Sequence, residues 1–168
     1  SSAANGFANG FGNGIGLSVS YSTGVTLQDS TLSGFWKGSV ISNSSNVTVT
    51  GNDVSAMRVD GLAFAAVQRV LIEGNYIHDF RGTEAINAHS DMIQIWTEGT
   101  SRPSTDVVIR GNTLDIGSGT ANQSIWMRNE VVDTGRAGTS MYYQRVTIED
   151  NVIVGGQRNG IAVGETAG

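Results

Sequence analysis

Two aspartates occupy the same place in two similar segments, Asp60-Gly-Leu-Ala-Phe64 and Asp91-Met-Ile-Gln-Ile95. In both segments the acid precedes alternating apolar residues, which predict a β-strand. If the two segments stack as neighbouring strands, their backbones lie about 5 Å apart. Carboxylates at that spacing share a proton or bind a cation such as Ca²⁺, and paired acids also perform glycoside hydrolysis. The alternative is that both side chains only cap turns through bonds to nearby backbone groups.

A histidine, an arginine and two tyrosines supply groups for proton transfer and charge neutralisation. His89 lies two residues before Asp91, and histidine is the side chain that titrates nearest to neutral pH. Arg128 supplies a fixed cation, and Tyr142 or its neighbour Tyr143 supplies a hydroxyl group. No spacing among these residues matches a metal-binding motif. The alternative is a solvated loop histidine without a catalytic role.

Aromatic and polar side chains gather on the later strands of the chain. Trp96 and Trp126 are expected to face outward, where indole rings stack on sugar faces or enter an interface. Gln94 is expected in the same outward column as Trp126. Arg128 and Glu130 follow, and this pair either contacts a substrate or forms an ion pair of little value. The alternative for the two indoles is that inserted loops simply cover them.

The elements that would position these residues are the coils of a repeat. Five segments share the pattern apolar-x-apolar-x-x-Asn/Ser-x-apolar, and their polar anchors lie 22, 23, 37 and 39 residues apart. The anchors are Ser30, Asn52, Asn75, Asn112 and Asn151. Single units of this size bury too little apolar surface to form a core, so the pattern predicts a stacked solenoid. The apolar positions are expected to form three inward columns, and the anchors a ladder of hydrogen-bonded amides.

A second strand precedes the first in each coil and occurs six times. Its first copy, Asn13-Gly-Ile-Gly-Leu17, is expected to lie level with Lys37-Gly-Ser-Val-Ile41. Asn13 then heads the column of Lys37, Asp60 and Asp91, and Gly16 heads the next outward column. The two longer steps predict insertions near Arg81–His89 and across Val131–Tyr143, and long loops on a rigid scaffold often carry function.

Composition limits the domain count and the classes of partner. The 168 residues are expected to form one solenoid domain of six to seven coils, rich in glycine at 23 residues. A net charge of −5 without a basic patch disfavours a nucleic-acid partner. Cysteine is absent, which excludes disulfides. The sequence contains no run of 18 apolar residues, so it does not predict membrane insertion. Since no end cap is visible, the sequence predicts a segment of a longer solenoid or a subunit that associates end to end or as a trimer.

The stacked Val-x-Ile-x-Gly-Asn-x-Ile coils resemble those of right-handed parallel β-helix proteins of the pectin-lyase-like superfamily. The resemblance covers roughly Asn13 to Gly164. It implies an all-β, right-handed parallel β-helix with a sugar groove on the external face of one sheet. The segments His89–Trp96, Gln123–Asn129 and Asn159–Glu165 are similar to bacterial proteins labelled mannuronan epimerase-like or alginate-lyase-like. Such chemistry requires a group that neutralises a uronate carboxylate and a base that removes the C5 proton.

The resemblance therefore implies an extracellular or cell-surface module that acts on or binds an acidic polysaccharide such as alginate. The residues expected to act in catalysis are His89, Asp91, Arg128 and Tyr142, and those expected to contact substrate are Asp60, Gln94, Trp96, Trp126 and Glu130. No cofactor is required by the sequence; if a Ca²⁺ ion is bound, Asp60 and Asp91 are its candidate ligands. The epimerase motif Tyr-Gly followed by Asp-Pro-His is absent, and the only proline is Pro103. The alternative is a non-catalytic structural or adhesive segment of a phage tailspike, a surface layer or a filament.

Overall fold

The computed structural model describes residues 14–82, 90–155 and 159–168, and regular structure in these ranges is almost entirely β-strand. The first nine strands are β1 (Ile15–Ser20), β2 (Thr23–Gln28), β3 (Thr31–Ser33), β4 (Lys37–Ser42), β5 (Ser45–Thr50), β6 (Asp53–Ser55), β7 (Leu62–Ala65), β8 (Gln68–Glu73) and β9 (Tyr76–His78). The others are β10 (Asp91–Trp96), β11 (Thr105–Arg110), β12 (Thr113–Asp115), β13 (Gln123–Met127), β14 (Tyr143–Glu149), β15 (Val152–Val154), β16 (Ile161–Val163) and β17 (Thr166–Ala167).

The strands form three parallel sheets; each of the first five coils contributes one strand to every sheet, and the last coil contributes one strand to each of two sheets. Sheet A has the order β1-β4-β7-β10-β13-β16, sheet B the order β2-β5-β8-β11-β14-β17, and sheet C the order β3-β6-β9-β12-β15. We number the coils 1 to 6 from the sheet A strand that begins each. The chain thus advances by one strand spacing, about 4.8 Å, per coil. The predicted all-β parallel β-helix is confirmed.

Short helical turns occur only between β13 and β14 within the described ranges. They are α1 (Glu130–Asp133) and one turn of 3₁₀ helix (Thr139–Met141), and they lie in the second predicted insertion. The first predicted insertion falls largely on residues 83–89, which lie outside the described residues. No helix of the described residues is long and apolar enough to cross a membrane.

The three predicted inward columns form the core. Strand pairing aligns Val25, Val47, Val70, Val107 and Val146; then Leu27, Val49, Ile72, Ile109 and Ile148; then Leu32, Val54, Ile77, Leu114 and Ile153. On coils 2 to 4 the side chains of all three columns are buried. Full burial of such aliphatic side chains is worth about 1.5 to 3 kcal/mol each. Stacked aliphatic residues therefore supply the main stabilisation.

The polar anchors form the predicted ladder between sheets B and C. Asn75 Oδ1 accepts two bonds from Asn52, from the backbone N–H at 3.0 Å and from Nδ2 at 2.9 Å. The same two bonds join Asn75 to Asn112 and Asn112 to Asn151. Each of these amides also donates from Nδ2 to a carbonyl on the sheet B strand of the preceding coil. On coil 1 Ser30 takes the anchor position and donates its backbone N–H to Asn52 Oδ1.

The residue before each anchor bends the chain so that the amide enters the interior. It has a left-handed φ between 48° and 64° at all five corners, and it is Asp29, Gly51, Gly74, Gly111 or Asp150. Glycine adopts this conformation without a steric penalty, and aspartate tolerates it better than most residues. The Gly or Asp of the sequence pattern is thus explained by a backbone requirement.

The predicted alignment of coil 1 in sheet A is wrong by two residues. Ile15 pairs with Lys37, so Ser18 rather than Gly16 heads the outward column, and Asn13 lies outside the described residues. A two-residue shift preserves the alternation of inward and outward side chains, so the apolar pattern alone does not detect it. The true register places Gly16 level with Gly38, where an added Cβ would lie 2.5 Å from the Gly38 carbonyl oxygen. Close approach of the two coils therefore requires a glycine at position 16.

We expect Asn75→Ala to destabilise the protein by about 3 to 5 kcal/mol, because it leaves the buried Asn52 N–H without its partner and removes the bonds of the Asn75 amide to the Val49 carbonyl and to Asn112. The control is Ser30→Ala at the end of the ladder, which removes only a hydroxyl bond to the Gln28 carbonyl and should cost about 1 kcal/mol or less. The free energy of unfolding of each variant, measured by urea titration, checks both values. Equal losses in the two variants would contradict a structural role for the ladder.

Candidate functional site

A row of polar residues, one on each of coils 2 to 6, lines the amino-terminal end of sheet A. Its members are Lys37, Asp60, Asp91, Gln123 and Asn159. Lys37 Nζ lies 2.6 Å from Asp60 Oδ2, and the Asp91 N–H donates to Asp60 Oδ1 at 3.2 Å. Asn159 Nδ2 donates to Gln123 Oε1 at 2.7 Å. Asp60 and Asp91 therefore lie on adjacent coils, as the sequence predicts.

Both carboxylates of this row are buried, Asp60 at 1% and Asp91 at 0% exposure. Gln94 Nε2 donates to Asp91 Oδ2 at 2.9 Å. Burial raises the pKa of Asp60, and the Lys37 ammonium group opposes that rise. Neither acid reaches the surface, where a glycosidic bond would have to lie. Asp60 bonds to both neighbouring coils, through Lys37 and the Asp91 N–H, whereas Asp91 accepts a bond from Gln94 of its own strand.

The predicted Ca²⁺ site rests on these two carboxylates. No group of three or more His, Cys, Asp or Glu side chains that could hold a metal ion occurs among the described residues. Calcium prefers six to eight oxygen ligands, several of them carboxylates. Calcium binding by Asp60 and Asp91 stays a prediction.

Four predicted substrate-contacting or catalytic residues meet on the outer face of sheet A. Gln94 pairs with Trp126 across β10 and β13. Trp96 and Arg128 occupy the next outward positions of the same two coils, where the Arg128 N–H donates to the Ile95 carbonyl. All four side chains are at least partly accessible. We call Gln94, Trp96, Trp126 and Arg128 the sheet A patch.

Trp96 also faces coil 2 of the same sheet. Ala63 and Ala65 point outward by register, yet both are buried. The Lys37 ammonium group lies 5.7 Å from the centroid of the Trp96 ring, a cation–π distance. A side chain that approaches Lys37 from coil 4 must pass over the alanine positions of coil 3. Part of the Trp96 ring therefore covers the outer face of sheet A and is not open to a ligand.

A groove opens beside the patch, between coils 5 and 6. It has a volume of about 390 Å³, and its lining includes Trp126, Arg128 and Asp133. On coil 6 the positions level with Trp126 and Arg128 are Ala162 and Gly164. Because these residues have minimal side chains, the space next to the indole and the guanidinium group stays open.

Arg128 is held in an ion pair at the rim of this groove. Its Nε lies 2.9 Å from Asp133 Oδ2, and the hydrogen bond to that carboxylate raises the pKa of Arg128 above its ordinary value. The arginine side chain remains 48% exposed. Only Nε is engaged by a side chain in the described part of the protein, so the two terminal NH₂ groups can still donate to a ligand.

Glu130 fixes the insertion of coil 5, which lies between β13 and β14, to coil 4. Glu130 Oε2 accepts bonds from the Thr97 backbone N–H at 2.8 Å and from its hydroxyl at 3.1 Å. Asn129, which is fully buried, donates from Nδ2 to the Met141 carbonyl at 2.8 Å. Glu130 is therefore used to fix the insertion next to Arg128, and its predicted contact with substrate stays untested.

Of the two adjacent tyrosines, Tyr143 is buried and Tyr142 is partly exposed. The Tyr143 hydroxyl donates to the Arg128 carbonyl at 2.6 Å and lies 3.2 Å from the Ile95 carbonyl. Burial, reinforced by the negative charges of Glu130 and Asp133, raises the pKa of Tyr143. Tyr143 thus supports the strand that carries Arg128, and Tyr142 remains the candidate for proton transfer. The predicted base, His89, lies outside the described residues.

A cluster that the sequence interpretation missed lies on the outer face of sheet C. His78 Nδ1 lies 2.6 Å from Asp79 Oδ2, and His78 Nε2 lies 3.3 Å from Asp53 Oδ1. The Tyr76 ring stacks on His78 with centroids 4.0 Å apart. Asp79 Oδ1 accepts bonds from the Ser118 N–H and hydroxyl. The signal was available in the sequence, because Asp53 and Tyr76 share one outward column of sheet C and His78 lies in the adjacent outward column.

We expect the hydrogen bonds of Asp79 with His78 and Ser118 to make the free energy of unfolding depend on pH in the acid range. Hydrogen bonds from His78 and Ser118 lower the pKa of Asp79 from 3.8 to about 2. A lowered pKa contributes stability above pH 3.8 that is lost as the pH falls toward 2. Asp79→Asn should therefore be less stable than the native protein near neutral pH, and the difference should shrink at acid pH.

The measurement is the free energy of unfolding between about pH 5 and about pH 2, compared for the native protein and Asp79→Asn. The charge-matched control is Asp150→Asn, at an exposed corner. A gap between native protein and Asp79→Asn that stays constant over this range would contradict the assignment.

The comparisons with known proteins concern the fold. A family model described as a right handed beta helix region matches residues 13–168. No curated protein and no solved structure matches the chain. The finer similarity to epimerase-like and lyase-like proteins stays a prediction. Because the match spans almost the whole chain and agrees with the three parallel sheets, this chain belongs to the right-handed β-helix family.

Proposed function

We propose that this β-helix is an extracellular or surface-exposed module that binds an acidic polysaccharide at the sheet A patch. The observation that carries the proposal is the open groove beside Trp126 and Arg128, where coil 6 places the small residues Ala162 and Gly164 level with them. An apolar ring next to a cation and open space can stack on a sugar ring and pair with its carboxylate.

An aromatic floor and amide groups support a sugar ligand. The Trp126 ring offers an apolar surface to the C–H face of a pyranose ring, and such stacking needs little rearrangement of a side chain fixed on a strand. Gln94 adds an amide at the adjacent position of coil 4. Both groups stand on strands of a rigid sheet, so their spacing is preset for an extended ligand.

Arg128 supports the acidic character of the sugar. Its guanidinium group is oriented by Asp133 through Nε, and the terminal NH₂ groups form the fork that binds a carboxylate with two hydrogen bonds. The net charge of −5 opposes the approach of a polyanion. We therefore expect weak binding that depends on this one local cation.

Binding rather than turnover is the function that the geometry supports best. Of the four residues predicted to act in catalysis, Asp91 is buried and Arg128 is ion-paired. Tyr142 lies on the insertion beyond the 3₁₀ turn. The enclosed Asp91 carboxylate does not reach the outer face of sheet A, where a C5 proton would have to be removed. A lyase or epimerase activity remains an outcome that the assay below can reveal.

Trp126→Ala and Arg128→Ala should each weaken binding of oligouronates about tenfold or more, since each removes a central contact of the groove. Arg128→Lys should recover only part of the loss because lysine lacks the bidentate fork. Matched controls are Tyr21→Ala, an exposed aromatic residue on coil 1, and Arg136→Ala, an exposed arginine of the same insertion. Calorimetric titration with alginate and pectate oligomers, and with a neutral glucan, provides the measurement.

The same samples should be tested for turnover with and without Ca²⁺, by absorbance near 235 nm for unsaturated ends and by proton NMR for C5 inversion. Turnover that is lost in His89→Ala would replace the binding proposal with an enzymatic one. Binding that is unaffected by Trp126→Ala and Arg128→Ala would refute the site. Absence of any uronate binding by the folded protein would favour the structural or adhesive alternative.

A further inference from the structure

The outer face of sheet B carries a pattern that the proposed binding site does not use. Its central outward column is Thr26, Thr48, Leu71, Val108 and Thr147. A shallow groove of about 510 Å³ lies over Leu71 and Val108. Threonine methyl groups and two aliphatic side chains thus give this face an apolar centre.

Two rows of polar and charged side chains border this centre, one at each end of the strands. The Arg69 row is Asn46, Arg69, Asp106 and Arg145, and the Glu73 row is Thr50, Glu73, Arg110 and Glu149, on coils 2 to 5 respectively. Within each row, side chains pair along the solenoid axis. Arg145 Nη2 lies 2.8 Å from Asp106, Arg69 Nε lies 2.6 Å from Asn46, and Arg110 Nε lies 2.7 Å from Glu73.

The two rows carry opposite charges on every coil from 3 to 5. The pairs across the face are Arg69 and Glu73, Asp106 and Arg110, and Arg145 and Glu149. Members of a pair are four residues apart on one strand, or about 13 Å, which exceeds the screening length of about 10 Å in 0.1 M salt. They therefore hardly stabilise each other. Pairing of side chains along one row requires only that the signs alternate within that row. It would be satisfied equally well if both rows had the same sign on each coil. The opposite signs of the two rows therefore require another explanation.

We propose that the sheet B face is the interface of a side-by-side dimer with its two-fold axis parallel to the solenoid axis. This rotation places the Arg69 row of one copy against the Glu73 row of the other, at the same coil. Arg69 then faces the partner's Glu73, Asp106 faces the partner's Arg110, and Arg145 faces the partner's Glu149. Each contact occurs twice, as in any isologous interface.

The charge balance of the face supports a second copy as the occupant. The chain has a net charge of −5, but the six charged residues of the two rows sum to zero, since three are arginines and three are acids. A polyanion or polycation gains nothing from such a surface. A second sheet B face is neutral overall and complementary in detail, and the threonine and aliphatic side chains of two sheets can interdigitate.

The size of the face sets the strength of the dimer. Five strands of about six residues cover about 20 Å by 24 Å, or about 480 Å² per copy. A stable complex of standard size buries about 800 Å² per partner. The predicted dimer is therefore weak and sensitive to salt. It differs from the end-to-end and trimeric associations expected from the sequence, because it uses a lateral face of the solenoid.

Sedimentation equilibrium of the purified chain at about 20 mM and about 500 mM NaCl tests the proposal. We expect a monomer–dimer equilibrium that weakens at the higher salt concentration. Arg69→Glu places an added glutamate opposite the partner's Glu73 at two symmetric positions, and should raise the dissociation constant about tenfold or more. Arg136→Glu changes the net charge equally at the exposed insertion, and should leave the constant unchanged.

A complementary pair of variants tests the arrangement itself. Arg69→Glu/Arg145→Glu makes all three charges of the Arg69 row negative, and Glu73→Arg/Glu149→Arg makes all three of the Glu73 row positive. Each variant alone should stay monomeric, whereas an equimolar mixture should form a one-to-one heterodimer. Circular dichroism confirms that both variants are folded, and a single substitution of each kind serves if a double variant is not.

Three results would overturn the proposal. They are a native protein that stays monomeric up to about 1 mM, association that Arg69→Glu and Arg136→Glu affect equally, and a mixture of folded complementary variants that shows no heterodimer.

Discussion

The asparagine ladder is the interaction on which the rest of the structure depends. Each asparagine oxygen of the ladder accepts bonds from the backbone N–H and the side chain of the asparagine on the preceding coil, so a slip of one coil by a single residue would leave several buried polar groups without partners. The aliphatic columns contribute more burial free energy, but they tolerate displacement because Val, Ile and Leu are interchangeable in shape to a first approximation. Specific register comes from the amides, and it aligns every outward column on sheets B and C.

This division explains how much of the fold the sequence predicts. Where an asparagine marks the corner, all three inward columns were predicted correctly on every coil. Sheet A has no such anchor, and its first coil offers both Gly14 and Gly16 as equivalents of Gly38. The apolar alternation is the same for either choice. The decision depends on the close approach of Gly16 to the Gly38 carbonyl, which is a three-dimensional contact without a signal in one coil's sequence.

The candidate site was predictable in its columns and unpredictable in its burial and bonding. Gln94 and Trp126 were correctly placed side by side, because strand alternation fixes outward positions. The same alternation does not reveal that Asp60 and Asp91 are enclosed, or that they bond to Lys37 and Gln94 respectively. The different environments of Tyr142 and Tyr143 are set by the packing of a non-repeating insertion, for which the period gives no information.

A solenoid of three sheets separates its functions onto different sides, and this gives the two proposals a common consequence. The sheet A patch and the sheet B face lie on different sides of one rigid stack, so a dimer formed through sheet B leaves both grooves beside Trp126 and Arg128 open. A long polysaccharide repeats the same sugar many times, so two grooves held at a fixed separation can engage one chain. The second contact then forms at a high effective concentration, which compensates for weak single-site binding by an acidic protein. A lateral dimer with modest affinity would thus increase retention on a polymer without any change in either groove.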